Sequence, residues 1–249
     1  MVDVSKPQSW CLPPDQLTLA ANDVHLWLVS LQQPPVVAAR FADLLSSDEK
    51  ARADRCVFDV DYRNYTVARG CLRTILSRYL RSKPEKIDFT YGEYGKPELA
   101  SLSGSSQLKF NVAHSGVLAL YAFTSIGEVG IDLECIRTDF AVDEVARRYF
   151  SPGEVACLDQ FHGPMRREAF YRCWTRKEAF IKAKRLGLSL ELNQFEVTLA
   201  SDKAKVLRTR WDESEAARWT LQDIDVGSGY VGALAIEAHG WKLSRFYIR

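Results

Sequence analysis

Apolar and polar positions that alternate with a period of two predict β-strands in several parts of the chain. "VHLWLVSL" (24–31) is the first, and "LKFNVAHSG" (108–116) and "VLALYAFTS" (117–125) form a predicted hairpin that turns at Ser115–Gly116. "EVGIDLEC" (128–135) follows as a third strand. Further strands are predicted at 87–91, 192–200, 218–226, 230–238 and 241–249.

Apolar positions at helical spacing predict α-helices between these strands. Two long helices are expected at about 62–80 and 166–185, and a shorter one near 143–149. Ser46 or Ser47 and then Ser151 are favourable N-caps, so two more helices are expected to begin there.

The two long helices occur in the same local order of elements. Each contains a Tyr-Arg pair and leads through a break into an alternating strand. This repetition predicts an α+β fold of two similar halves, at 1–125 and 126–249, that face each other. Ligands commonly bind between such units, so we expect the active site in the cleft between the halves.

The composition is that of an ordinary globular protein. The 33 Lys and Arg against 32 Asp and Glu leave no overall field to attract nucleic acid or a membrane surface. The six cysteines form no Cys-x-x-Cys pair, so reduced thiols are expected. The longest apolar run, 117–123, is far shorter than the roughly 20 residues that span a bilayer. Because the N-terminus also lacks a signal-peptide pattern, we expect a soluble cytoplasmic protein.

Two carboxylates interrupt the otherwise apolar segment "VGIDLEC" (129–135). Asp132 and Glu134 share one face of the predicted strand, whereas Ile131 and Leu133 share the other. Like charges on neighbouring positions of one face repel each other unless a cation or a proton offsets them. The pair is therefore either a solvated strand surface or half of a metal site.

A third carboxylate lies on the second long helix. Glu178 and Lys182 follow Trp174 at intervals of four residues, within an arc of about 80°. An exposed Glu–Lys pair is the commoner interpretation of this spacing, but apolar residues on the same stripe favour a buried, partnered pair. Glu178 would then complete an oxygen-only ligand set suited to Mg²⁺, with a chance grouping of carboxylates as the alternative.

Other polar residues fit an anion site less specifically. His114 lies at a predicted strand end, and Lys96 lies between a glycine and Pro97 on a stiffened loop. A turn histidine and a solvated lysine are the simpler interpretations, and the basic residues near 50–63 could form a charged helix face. No Walker loop, GxGxxG, GxSxG or HExxH occurs, which removes the usual nucleotide, acyl-hydrolase and zinc-protease classes.

Five segments, taken in this order, resemble the 4′-phosphopantetheinyl transferases of the larger, monomeric, surfactin-synthetase-activating type. They are "YGKPEL" (94–99), "FNVAHS" (110–115), "VGIDLE" (129–134), "FSPGE" (150–154) and "WTRKEAFIKAKRLGLSL" (174–190). The resemblance implies a pseudo-dimer, in which each half packs a long helix on a mainly antiparallel sheet. It also implies an enzyme that moves 4′-phosphopantetheine from coenzyme A, bound in the cleft, to a serine of an apo carrier protein. Such carriers serve fatty-acid, polyketide and nonribosomal-peptide synthesis, and 3′,5′-ADP is the second product.

The resemblance also implies roles for individual residues. A metal site for Mg²⁺, with Mn²⁺ as a substitute, is expected at Asp132, Glu134 and Glu178. Glu178, Lys182 and Glu154 are expected to be catalytic, with either Glu178 or Glu154 helping to deprotonate the serine. Coenzyme A contacts are expected from Arg55, Arg63, Lys96, Pro97, His114, Ser115, Asp132 and Lys182. Ala113 departs from the family pattern, because many members have serine before the histidine.

The partner and the alternatives complete the prediction. We expect a monomer that binds coenzyme A and an acyl or peptidyl carrier protein, with exposed apolar docking residues near 161–165 and 184–190. A metal-dependent nuclease or phosphatase would share the carboxylates. A non-enzymatic RNA- or anion-binding module would instead use the basic side chains Arg166, Arg167, Arg172, Arg176, Lys184 and Arg185.

Overall fold

The computed structural model describes residues 7, 9–93, 95–100, 108–200 and 203–248. Tyr94 of the "YGKPEL" segment and Arg249 of the last predicted strand lie outside these residues. The predicted α+β class is confirmed. The elements of the first half are β1 (Asp23–Ser30), α1 (Pro35–Asp43), α2 (Ser47–Ala53), α3 (Asp59–Leu80), β2 (Phe89–Tyr91), β3 (Pro97–Leu99), β4 (Lys109–Ser115) and β5 (Leu118–Thr124).

The second half repeats the order of a strand, short helices, a long helix and further strands. Its long helix has 22 residues, as α3 has. The elements are β6 (Val129–Cys135), α4 (Val142–Tyr149), α5 (Pro152–Leu158), α6 (Gly163–Lys184), β7 (Phe195–Val197), β8 (Val206–Thr209), β9 (Thr220–Ile224), β10 (Tyr230–Ile236) and β11 (Lys242–Ile248).

Two main sheets carry the long helices. The first has the strand order β11–β1–β5–β4, and α3 packs on it through a core that includes Trp27, Leu72 and Phe123. The second has the order β6–β10–β9 and packs against α6. The predicted hairpin is present, since β4 and β5 pair antiparallel around Gly116, whose φ of 56° suits glycine.

The last strand does not stay in the second half. β11 pairs with β1 in parallel, so that Asp23 lies opposite Lys242 and Val29 opposite Ile248. The expected division of the chain into halves at 1–125 and 126–249 therefore does not hold for β11. Alternation predicts that a segment is a strand, but it does not predict which strand it pairs with. The pattern also missed α1, whose core contacts come only from partly buried residues such as Ala38 and Phe41, and β3 and β8, which have only three and four residues.

The same buried ion pair recurs in both halves. The helices α2 and α5 each begin with a capping box, formed by Ser46 with Glu49 and by Ser151 with Glu154. In the first half, Arg73 on α3 donates to Glu49 at 2.7 Å. In the second half, Lys177 on α6 pairs with Glu154 at 2.8 Å. The capping glutamate thus joins a short helix to the long helix in each half.

Each buried cation also fixes the chain that follows its helix. Arg73 donates to the carbonyl oxygens of Pro84 and Ile87, both at 2.9 Å, just before β2. Lys177 donates to the carbonyl oxygens of Leu192 and Phe195, at 2.7 and 2.6 Å, where β7 begins. In each half, the buried ion pair therefore connects a capped short helix, the long helix and the next strand.

The strand β6 approaches α6 so closely that a side chain would not fit between them at Gly130. A Cβ atom there would collide with the carbonyl oxygen of Ala179 and the backbone nitrogen of Ala183. Only glycine allows this approach. It brings the segment with Asp132 and Glu134 against the helix that carries Glu178 and Lys182.

We expect Gly130→Ala to lower the free energy of unfolding by about 3 kcal/mol or more, because backbone atoms of α6 would have to move. Urea unfolding followed by circular dichroism measures this. Gly153→Ala is the matched control, since its Cβ would lie 3.4 Å from the nearest atom, a carboxylate oxygen of Glu196. A Gly130→Ala protein as stable as the control would contradict the close approach.

We expect Glu154→Ala to lower the free energy of unfolding by about 3–5 kcal/mol, because it leaves the Lys177 ammonium buried without a counter-ion. Glu168→Ala on α6 removes an exposed carboxylate whose partner is Arg172, and it should change the value by less than about 1 kcal/mol. Urea unfolding of both variants provides the comparison. Equal stabilities would show that the buried pair has no structural role.

Candidate active site

Asp132 is the most buried of the three carboxylates expected to bind metal, Asp132, Glu134 and Glu178, with only 4% of its surface exposed. Its Oδ1 atom accepts a hydrogen bond of 2.5 Å from Lys182 Nζ. Its Oδ2 atom is buried and has no hydrogen-bond partner. An orphaned buried carboxylate oxygen is costly, so this atom is a candidate ligand for a cation.

Glu134 lies one step further along the same face of β6. Its Oε2 atom accepts a hydrogen bond of 3.0 Å from the Ser115 hydroxyl. The same hydroxyl oxygen accepts from the backbone N–H of Cys135, also at 3.0 Å. Ser115 was expected to contact coenzyme A, but in this structure its hydroxyl connects β4 to β6.

The three carboxylates destabilise one another's charged form. Burial raises the pKa of Asp132, Glu134 and Glu178, and the Asp132 charge raises the pKa of the other two further. Burial alone would lower the pKa of Lys182, but the neighbouring carboxylates raise it overall. Four side chains therefore form one electrostatic cluster: Asp132 and Glu134 on β6, and Glu178 and Lys182 on α6. The strand and helix spacings indicated this grouping.

Lys96 lies at the junction of the two halves. Its ammonium donates to the carbonyl oxygens of Lys182, at 3.0 Å, and of Val129, at 3.2 Å. Burial lowers the pKa of Lys96 to about 8. Lys96 and Pro97 line a cleft of about 440 Å³ together with Lys182 and Asn111.

An adjoining cleft of about 200 Å³ continues past His114 towards the first half. Two arginines line it, Arg52 on α2 and Arg69 on α3. Arg55 and Arg63 were expected to make phosphate contacts, but both are exposed and neither is among the residues that line these clefts. Arg52 was visible only as one member of a basic cluster, because sequence spacing did not show which arginine faces the cleft.

A third cavity, of about 440 Å³, is bordered by Glu134, which lines neither of the two clefts. Four of the residues that line it are aromatic. Sequence reasoning did not find it, since its residues come from distant parts of the chain. They are Ser115, Gly116, Glu134, Cys135, Arg137, Phe140, Phe170, Tyr171 and Trp174.

Glu154 does not belong to the cluster. It is 3% exposed, and besides its contact with Lys177 it accepts from the backbone N–H groups of Ser151 and Val197, at 2.9 and 2.8 Å. Both of its oxygens are thus used within the core of the second half. The sequence did not reveal this core position. Ser151 was recognised as an N-cap, but its capping-box partner Glu154 was not.

The basic residues of α6 already have partners, which removes the observation that favoured an RNA- or anion-binding module. Arg176 is fully buried and makes a two-point contact with Asp223, at 2.6 and 2.8 Å. Lys184 pairs with Glu215 at 2.8 Å. The others are engaged too, Arg166 with Asp143 and Asp159, Arg167 with two backbone carbonyls, Arg172 with Glu168, and Arg185 with Glu98.

The donor chemistry of the cluster fits a hard divalent cation. Three carboxylates and the orphaned Asp132 Oδ2 are oxygen donors of the kind that Mg²⁺ prefers. As they stand, no three acidic, histidine or cysteine side chains in the described part of the chain converge closely enough to enclose a metal ion. Lys182 holds Asp132, and Ser115 holds Glu134, so a cation would have to compete with these contacts.

Two family models match most of the length of this chain. A family model described as the 4′-phosphopantetheinyl transferase superfamily matches residues 128–235, and one for the N-terminal part of such a transferase matches 35–125. The 4′-phosphopantetheinyl transferase HetI of Nostoc sp. (strain PCC 7120) is 36% identical over 234 residues, which cover 94% of this chain and 96% of the relative.

Two further relatives carry related names. The putative 4′-phosphopantetheinyl transferase slr0495 of Synechocystis sp. is 39% identical over 68% of each chain. The 4′-phosphopantetheinyl transferase Sfp of Bacillus subtilis (strain 168) is 32% identical over 66% of this chain and 70% of its own. The near-complete match to HetI and the two family models show that this chain is an enzyme of the 4′-phosphopantetheinyl transferase superfamily.

Proposed function

We propose that the enzyme transfers 4′-phosphopantetheine from coenzyme A to a serine of an apo acyl or peptidyl carrier protein, with Mg²⁺, and releases 3′,5′-ADP. The observation that carries the proposal is the partly buried cluster of three carboxylates and Lys182 beside a cleft lined by cations. Transfer of a phosphoryl-type group needs positioning and charge neutralisation more than covalent chemistry. This cluster offers both.

Asp132, Glu134 and Glu178 are the proposed ligands of Mg²⁺, with Mn²⁺ as a substitute. When bound, the cation neutralises charge on the pyrophosphate of coenzyme A. Support comes from the orphaned Asp132 oxygen and from the raised carboxyl pKa values, since a divalent cation would relieve the same repulsion. Lys182 adds a second positive charge next to Asp132.

Coenzyme A is proposed to lie in the two adjoining clefts. Lys96, His114 and Lys182 lie along them, and Arg52 and Arg69 line the far end. A ligand with three phosphate groups calls for several cations spread along its length. We therefore propose Arg52 as a phosphate contact, in place of the expected Arg55 and Arg63.

Glu178 is the proposed base for the carrier serine. A carboxylate within reach of the serine hydroxyl, directly or through water, can accept its proton. Glu178 would take the hydroxyl proton while the serine oxygen bonds to the β-phosphorus and the bond from that phosphorus to the ADP oxygen breaks. Glu154 is left out of this role, because both of its oxygens are used in the core.

The carrier is proposed to approach from the third cavity, which Phe140, Phe170, Tyr171 and Trp174 line. In an in-line displacement the nucleophile enters opposite the leaving group. If coenzyme A fills the cationic clefts, the serine has to come from the cavity bordered by Glu134, where Trp174 and Phe140 lie. Phe140, Met165 and Leu186 are exposed by 36%, 65% and 38%, and they offer apolar contacts to the carrier.

The monomeric state and the cytoplasmic location remain part of this proposal. All six cysteines are free thiols, as is usual for proteins of reducing compartments. No described helix has the length and apolar character needed to cross a membrane.

We expect Glu178→Gln and Asp132→Asn to slow transfer by at least about 100-fold, because each removes a charge that the reaction requires. Mass spectrometry of a panel of apo carriers, incubated with coenzyme A and Mg²⁺, measures the gain of phosphopantetheine. Glu168→Gln on the exposed face of α6 is the control, and circular dichroism checks folding. Rates like those of the control in both variants would disprove the metal assignment.

We expect Mg²⁺ to raise the melting temperature at about pH 7.5 and to have little effect near pH 5. The carboxyl pKa values of Asp132, Glu134 and Glu178 lie above those of the unfolded chain. Ionisation therefore opposes folding, and this penalty disappears as the pH falls through the folded pKa values. A cation removes the same penalty at neutral pH, when the groups are charged.

Thermal unfolding with and without Mg²⁺ at the two pH values tests this. Asp132→Asn serves as the control, and its melting temperature should respond little to Mg²⁺ at either pH. A larger stabilisation near pH 5 than near pH 7.5 would contradict the assignment.

A further inference from the structure

The strands β4 and β6 face each other across the seam between the two main sheets. In the described part of the chain, no ladder of backbone hydrogen bonds joins them. Side chains of β4 take its place. The Asn111 Oδ1 atom accepts from the backbone N–H of Ile131 at 2.8 Å, and the Ser115 Oγ atom accepts from the backbone N–H of Cys135 at 3.0 Å.

These two contacts enclose the acidic pair. Asn111 and Ser115 are four residues apart on β4, so they lie on one face of that strand. Their donors, Ile131 and Cys135, are also four residues apart and flank the segment with Asp132 and Glu134 on either side. We call Asn111 and Ser115 the seam residues.

The seam residues also affect the separation between β4 and β6. Backbone ladders hold neighbouring strands about 4.8 Å apart, and a side chain inserted between two strands keeps them farther apart. The amides of β6 are satisfied without closing the gap. The acidic strand is thereby fixed relative to β4, which carries His114.

Ser115 makes one contact that Asn111 does not. Its hydroxyl donates to Glu134 Oε2 at 3.0 Å while its oxygen accepts from Cys135. One hydroxyl thus holds both the backbone after Glu134 and the carboxylate itself. This leaves the hydroxyl group no free hydrogen to offer a ligand.

We propose that the seam residues are positioning residues for the acidic cluster. They set the place of β6 across the cleft, and Ser115 aims the Glu134 carboxylate, so that the cluster is arranged before a cation and coenzyme A bind. The inference deepens the proposed function and depends on its metal site. Residues that orient a metal ligand commonly change metal affinity by 10- to 100-fold when they are removed.

The test compares Ser115→Ala, Ser115→Thr and Asn111→Ala with the wild-type protein. Thr124→Val is the matched control, because it removes a buried hydroxyl that donates to a backbone carbonyl, that of Asp23, elsewhere in the first sheet. Electron paramagnetic resonance measures Mn²⁺ binding with coenzyme A present and no carrier. Amide hydrogen exchange at Cys135 and Ile131 checks that each contact has been lost.

We expect Ser115→Ala to weaken Mn²⁺ binding by about tenfold and to raise the half-saturating Mg²⁺ concentration for transfer in parallel. The KM for coenzyme A should change by less than about twofold, which a general loss of stability would not explain. Ser115→Thr retains the hydroxyl and should restore most of the affinity. Asn111→Ala should weaken Mn²⁺ binding in the same direction.

Unchanged Mn²⁺ affinity in Ser115→Ala would overturn the proposal, as would an equal loss of affinity in Thr124→Val. The binding measurement does not depend on carrier modification. A wild-type protein that modified no carrier would therefore count against the proposed function, while the Mn²⁺ titration would still decide the role of the seam residues.

Discussion

The close approach of β6 to α6 is the constraint on which the rest of the site depends. At Gly130 the strand touches the backbone of the helix, and no side chain fits between them. A strand at this distance places alternate residues directly against successive turns of the helix. Asp132 therefore meets Lys182, and the strand carboxylates come near Glu178. The site is rigid because it is built on two regular elements, and it joins the halves because β4 borders it from the other side.

The same packing concentrates charge where the protein can least solvate it. Three carboxylates share one ammonium in a partly buried space, and their mutual repulsion is stored in the folded state. The ion pairs of the capping glutamates, Glu49 and Glu154, have the opposite character, since each carboxylate has a cationic partner and is hydrogen-bonded within the core. Stability is thus built into the cores of the two halves, whereas the acidic cluster keeps an excess of negative charge that a bound cation can relieve.

Much of the fold could be predicted from local pattern. Alternation found β1, β4, β5, β6 and β9–β11, and helical spacing found α3 and α6 to within a few residues. The acidic cluster followed from two spacings, because the residues at 132 and 134 share a strand face and those at 178 and 182 share a helix face. Other features depend on three-dimensional neighbours and were missed. The parallel partner of β11, the core position of Glu154, and the choice of Arg52 over Arg55 each require knowledge of which distant segment lies alongside.

The pairing of β11 with β1 has a consequence for the synthesis of the chain. Residues 23–29 find their parallel partners at 242–248, at the opposite end of the sequence. Contacts between such distant residues form slowly, because a long loop has to close before they contribute. During translation, β1, β4 and β5 can assemble early, but one edge of their sheet stays open until residues 242–248 have been synthesised. The sheet of the first half therefore forms completely only in a chain that already contains the strands of the second half, since β11 closes that edge.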